Sequence, residues 1–148
     1  MTAMPRSSHR MNLMFRALGL IAGAAMLVIG LRFLIAPEQA AKFFGVGTMP
    51  TGYQLHHAVG LRDLWVGGLA IAFALTRQWR ALTLWFAAAM LVCFGDAVIV
   101  HSSDGRPSSV AFHAISGLLC GAIATAIWRF QPPLLTHTGT TQVTTPQN

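Results

Sequence analysis

Four long, almost unbroken apolar stretches dominate the chain, at about residues 14–36, 53–76, 81–102 and 108–128. Each reaches the roughly 20 residues that a helix needs to cross a hydrocarbon core about 30 Å thick. Few charged residues interrupt them: Arg16 and Arg32 in the first, Arg62 and Asp63 in the second, Asp96 in the third. His113 is the one ionisable residue of the fourth. Ala and Leu predominate, and the period-two alternation of a half-buried strand is missing. A helix on a soluble surface carries a polar stripe opposite its apolar one. Neither Ala81–Gly95 nor Ala114–Trp128 has a charge on any face. A segment in lipid must satisfy its own backbone, which selects helices. The pattern predicts an all-α polytopic membrane protein, an antiparallel four-helix transmembrane bundle over residues 14–130.

The connections are short. Pro37-Glu38 followed by Gly45 predicts one helix of two turns in the longest of them, with Phe43 and Phe44 at the headgroup level. Gln78 and its arginine neighbours form a tight turn between the second and third stretches, and Asp104-Gly105 marks another over 103–107. Residues 1–13 form a polar, basic N-terminal segment. Ala36-Pro37-Glu38-Gln39-Ala40 is a poor cleavage site, so the first stretch is expected to remain as a span. The tail from 131 to 148 holds six Thr, three Pro and no charged residue apart from His137, and is expected to be disordered.

Composition narrows the class further. Of 148 residues only 9% are charged, against roughly 25% in a soluble domain. Apolar residues make up 54%, and the mean hydropathy is +0.57. Too few charges remain to coat a soluble surface, which excludes a disordered chain and most soluble enzyme folds. The net charge of +6 does not indicate nucleic acid, because the arginines sit at the edges of apolar stretches instead of along one stripe. Their asymmetry sets an orientation. Arg6, Arg10, Arg16, Arg77, Arg80 and Arg129 flank the side that holds both termini, against Arg32, Lys42 and Arg106 on the other. Both termini are therefore expected to be cytoplasmic, in a plasma or inner membrane. Trp79 and Trp128 then belong at the inner interface and Tyr53 at the outer one. Cys93 and Cys120 lie in apolar stretches with no CxxC or Cys/His spacing, and read as two buried structural thiols. No metal or other cofactor is implied.

The polar residues of the spans share a level. Counted from the outer end at about 1.5 Å per residue, His57 is about 6 Å deep, Asp96 and His113 about 8 Å, Arg62 and Asp63 about 14–15 Å. His56, Gly60, Asp63 and Gly67 line one face of the second stretch, with Arg62 about 100° around. Trp85, Val92 and Asp96 share a face of the third, and His113, Gly117 and Gly121 a face of the fourth. Gly117/Gly121 and Gly19/Gly23 form small-xxx-small pairs that allow close backbone approach, within the bundle or in a homo-oligomer. Trp65 and Trp85 read as packing residues, and His101 as exposed.

An Asp or Arg at the centre of a span costs about 2.5–3.5 kcal/mol on insertion scales. Arg62, Asp63 and Asp96 must therefore face inward and pair. Two readings follow: a buried ion pair that only locks the bundle as a structural or interaction subunit, or a pocket that binds or converts a small molecule. In the second, Asp63 or Asp96 is the candidate base with His113 as its proton partner, and Arg62, His57 and His56 are candidate ligand contacts. A small proton or solute transporter is a further alternative, though transporters place their sites near the midplane. The expected partners are the lipid bilayer and a small-molecule ligand.

Gly30-Leu31-Arg32-Phe33-Leu34 before Pro37, Gly60-Leu61-Arg62-Asp63-Leu64 with Gly67, Gly95-Asp96 and His113 resemble the domain-of-unknown-function family 4267 over roughly residues 14–130. That resemblance implies a small four-helix integral membrane protein and brings no chemistry with it.

Overall fold

A computed structural model describes residues 6–46 and 52–130, with side-chain burial from Arg10 onward. The tail and the extreme N-terminus lie outside the described residues, as does the chain between 47 and 51. The elements are α1 (Arg6–Ile35), α2 (Pro37–Phe44), α3 (Gln54–Leu75), α4 (Trp79–Ser102) and α5 (Pro107–Phe130). Among the described residues there is no strand. Four of the helices are long and apolar enough to cross a membrane, over Arg10–Ile35, Gln54–Leu75, Trp79–Ser102 and Pro107–Phe130. The chain is thus a helical membrane bundle with one short extra helix. Helix α1 starts well before its apolar stretch because Arg6 to Leu18 contains no glycine or proline to stop it. Helix α2 starts on Pro37, whose missing N–H costs nothing in a first turn. It ends at Gly45, whose φ of 101° few other residues adopt and whose N–H bonds to Ala41 O.

The bundle is built from two close pairs, α1 with α3 and α4 with α5, which meet each other much less extensively. Glycine makes the first pair. Gly30 faces Gly60 and Gly23 faces Gly67, and a Cβ added to any of the four would come within 2.7–2.8 Å of the opposite carbonyl oxygen. Numbers rise along one helix as they fall along the other, so the pair is antiparallel. Gly19 continues the seam against Ala74 and Leu82. The buried residues of α3 are His56, Gly60, Asp63, Gly67, Ala70 and Ala74, a four–three spacing that keeps one seam facing inward. In the second pair Gly117 lies against Cys93 and Phe94, and Gly121 against the Met90 sulfur. These glycines serve packing within one chain.

At the end that carries the termini the pairs join through an apolar core of Phe15, Trp79, Leu82, Phe86, Ala124 and Ile127. Trp79 is not the interfacial belt residue the sequence suggests. The turn Thr76–Gln78, with Arg77 at φ 57°, brings the start of α4 against α1. There Trp79 is buried edge-on to Phe15, at 6.1 Å between ring centroids. Trp128 is exposed.

Candidate functional site

The opposite end holds the polar residues. Asp63 sits in the α1–α3 seam between Gly60 and Gly67, and its side chain is 8% exposed. Its partner is its own neighbour. The Arg62 guanidinium projects from an adjacent face and curls back, donating from Nε at 3.0 Å and Nη2 at 2.9 Å to the same Asp63 Oδ1. The Arg62 side chain stays 49% exposed, so one end of the ion pair is buried and the other is not. Asp96 on α4 is half-buried. His113, Arg62 and Asp63 all lie close enough to act on it electrostatically. Among the described residues no side chain hydrogen-bonds to it.

His113 on α5 is buried, and its Nε2 lies 3.1 Å from Phe44 O. A carbonyl only accepts, so Nε2 carries the hydrogen, and Nδ1 of the neutral ring is left as an acceptor. Nearby, Arg106 Nη2 donates to Lys42 O at 2.7 Å. Both carbonyls belong to the last turn of α2, where no intrahelical donor remains and where a cation is favoured by the helix dipole. The start of α5 therefore holds α2 by its C-terminus. The first turn of α2 is held separately: the Tyr53 hydroxyl donates to Glu38 Oε1. That bond and the glutamate charge raise the Tyr53 pKa above its ordinary value.

Phe44 turns inward, 4.6 Å from the His113 ring and 6.3 Å from Phe33. Phe33 in turn lies 6.1 Å from His56, which meets Tyr53 edge-on. A row of rings thus joins α3, α1, α2 and α5 across this end. Phe43, its neighbour, is exposed and carries the Arg32 guanidinium 5.5 Å above its ring. His56 is 7% exposed, and its Nδ1 has no hydrogen-bond partner.

The structure therefore gathers Arg62, Asp63, Asp96 and His113, and places His56 beside them in the ring layer, about 10 Å further out along α3 than Asp63 by helical rise. It leaves His57 and His101 exposed. Trp65, read from sequence as packing, is 70% exposed, because it projects opposite the glycine seam. Trp85 does pack, and its Nε1 donates to Val66 O at 3.0 Å, tying α4 to α3. Val92, on the face of α4 that carries Trp85 and Asp96, is exposed, and the α5-facing side is taken by Met90 and Cys93. The role of α2 escapes a reading of sequence, because the partners of His113 and Arg106 are main-chain carbonyls, which any residue supplies. Cys93 and Cys120 are half-buried, Cys93 against Gly117 in the α4–α5 interface. Among the described residues no group of three His, Cys, Asp or Glu converges as a metal site.

Residues 23–128 match the family described as Domain of unknown function (DUF4267), and the chain belongs to that family. The matched region runs from the middle of α1 to near the end of α5 and contains every residue of the site. No curated protein and no solved structure matches the chain.

Proposed function

We propose that this DUF4267 protein binds a small amphiphilic molecule, its polar head at Asp96 and the Arg62–Asp63 pair and its apolar part between the two helix pairs. The observation that carries this is Asp96. A half-buried carboxylate on a spanning helix, with no hydrogen-bond partner among the described residues, is costly, and intramembrane ionisable groups of this kind mark binding sites and proton paths. Arg62 is engaged by Asp63, so with all three groups ionised the cluster carries one negative charge in excess. A head rich in hydrogen-bond donors, such as an amine, complements it. Sparse contact between the pairs supports entry from the lipid side. In this reading the termini are cytoplasmic and the site lies in the outer leaflet. Any conversion of the bound molecule would use Asp96 or Asp63 as base and His113 Nδ1 as proton partner.

The competing reading, charges that only lock the bundle, draws on the direct Arg62–Asp63 bond. One experiment separates them. Dodecylamine, dodecanol and dodecanoate are compared as stabilisers of the full chain in detergent by thermal unfolding. Binding at Asp96 predicts amine above alcohol above carboxylate, with the preference lost in Asp96→Asn. Equal responses, or a preference that survives Asp96→Asn, refute it. Orientation is read by impermeant thiol reagents in a Cys93→Ala, Cys120→Ala background. A cysteine at Ser103 reacts from outside and one at Gln78 does not; the reverse result inverts the topology.

A further inference from the structure

Three cations that lie far apart in the sequence meet at the last turn of α2. Arg32, in the last turn of α1, rests its guanidinium over the Phe43 ring. Lys42 is the neighbour of Phe43 on α2. Arg106, just before α5, reaches the same turn through its bond to Lys42 O. All three side chains are exposed, and the polar cluster does not use their charges. Among the described residues none of the three forms an ion pair. The chain has four carboxylate side chains in all. Asp63 is held by Arg62, and Asp96 lies further into the bundle on α4. Glu38 accepts from Tyr53 at the other end of α2, and Asp104 pairs with no cation among the described residues. Even with Glu38 and Asp104 counted in full, positive charge stays in excess around this turn.

We propose that the last turn of α2 binds the headgroup of an anionic phospholipid, its phosphate held by Arg32, Lys42 and Arg106. Guanidinium groups take phosphate oxygens through parallel N–H donors, and an ammonium takes them as a point charge. The donors are available. A guanidinium over a ring face keeps its in-plane N–H groups for other partners, and Arg106 gives Lys42 O only part of its donor set. The carbonyls that repel an anion at a helix C-terminus are covered: Ala41 O by the Gly45 N–H, Lys42 O by Arg106 and Phe44 O by His113. The surroundings favour a lipid over a free phosphate ion. Spanning helix α1 ends at Ile35 and α5 begins at Pro107, so the cations stand where the phosphates of a bilayer lie. Leu31 and Ile35 flank Arg32 on α1, and both are exposed, as is Phe43. Acyl chains cover these apolar side chains while the headgroup meets the cations. The charge preferred here is opposite to that at Asp96, and the two sites share no residue, so each stands or fails alone.

The test uses the full chain in phosphatidylcholine nanodiscs doped with a trace of photoactivatable lipid. The probes are phosphatidylglycerol and phosphatidylcholine carrying the same diazirine next to the headgroup, and labelled residues are read by mass spectrometry. The anionic probe is expected to label Leu31, Ile35 and Phe43 about tenfold more than the zwitterionic one, which needs the charge of at least two of the three cations. Arg32→Gln and Lys42→Gln each cut that ratio about fivefold, the effect of one basic residue near an anionic headgroup. Both side chains are exposed, so these variants keep the fold, and an unchanged ratio at Trp128, at the opposite end, checks it. A ratio near one in the unmodified chain overturns the site. So does a preference that survives in the Arg32→Gln, Lys42→Gln double variant, or a fall that extends equally to Trp128. Loss of the preference to inorganic phosphate, but not to sodium chloride of equal ionic strength, assigns the cations to a free anion and overturns the lipid.

Discussion

The two ends of the bundle are built on opposite terms. At the end carrying the termini, Phe15, Leu82, Phe86 and Ile127 are all but fully buried, and among the described residues the cluster they form contains no charged side chain. At the α2 end, His56 and His113 are buried among aromatic rings and Asp63 in the glycine seam, and α2 is held through its carbonyls by His113 and Arg106. The first arrangement gains from dispersion and close packing alone, which is what drives helix association in lipid. The second keeps polar groups where they cost stability. Natural proteins accept such a cost mainly at functional sites. This contrast is why the proposed site is placed at the α2 end and scaffold at the other.

The largest expected effect falls on the scaffold. Leu82→Ala removes a side chain with no exposed surface, where cavity formation costs about 2–5 kcal/mol. Asp96→Asn is expected to change stability by less than about 0.5 kcal/mol, or to raise it, as for residues outside the packed core. Thermal unfolding of the two variants in one detergent measures both. A cost for Asp96→Asn equal to that of Leu82→Ala would erase the distinction between the ends.

Next comes the ion pair. Arg62→Ala leaves Asp63 buried without its partner, but the guanidinium is half-exposed and solvent screens the pair, so the cost is about 1 kcal/mol. Asp63→Asn is expected to cost less, because it leaves no buried charge behind. The reverse order would show that Asp63 has a stronger tie than Arg62.

His113→Leu keeps the volume and loses the bond to Phe44 O, for about 1 kcal/mol. Its signature is local. Amide exchange over α2 rises while the Phe15–Leu82 core stays protected. Uniform acceleration along the chain would mean that α2 is not separately held.

The smallest effect is a pH dependence. The folded-state pKa of Tyr53 is raised by Glu38. The Tyr53–Glu38 contribution is therefore complete below the ordinary tyrosine pKa of about 10 and is lost as pH rises through the higher folded value. Protection of the first turn of α2 is expected to fade in strong alkali, and Tyr53→Phe removes that pH dependence. A loss that begins on the acid side would contradict the sign.

The spans, the short helix at Pro37 and the inward face His56–Gly60–Asp63–Gly67 were legible in the chain, because each follows from hydropathy length, proline and glycine punctuation, or helical period. Those rules act within about twenty consecutive residues and need no knowledge of neighbours. Membrane residence follows from the same source, since 9% charged residues cannot cover a soluble surface. Tertiary structure decided everything that depends on which helices touch. It turned the Gly23 and Gly67 pattern into an α1–α3 seam and buried Trp79 where a belt residue was expected. It left Trp65 outside and gave the Phe44 and Lys42 carbonyls to His113 and Arg106. It also set Met90 and Cys93 of α4 against Gly121 and Gly117 of α5. The physical reason is that helical period fixes only which residues of one helix share a face. The pairing of faces is set by where backbones can approach, and that is a property of two helices at once.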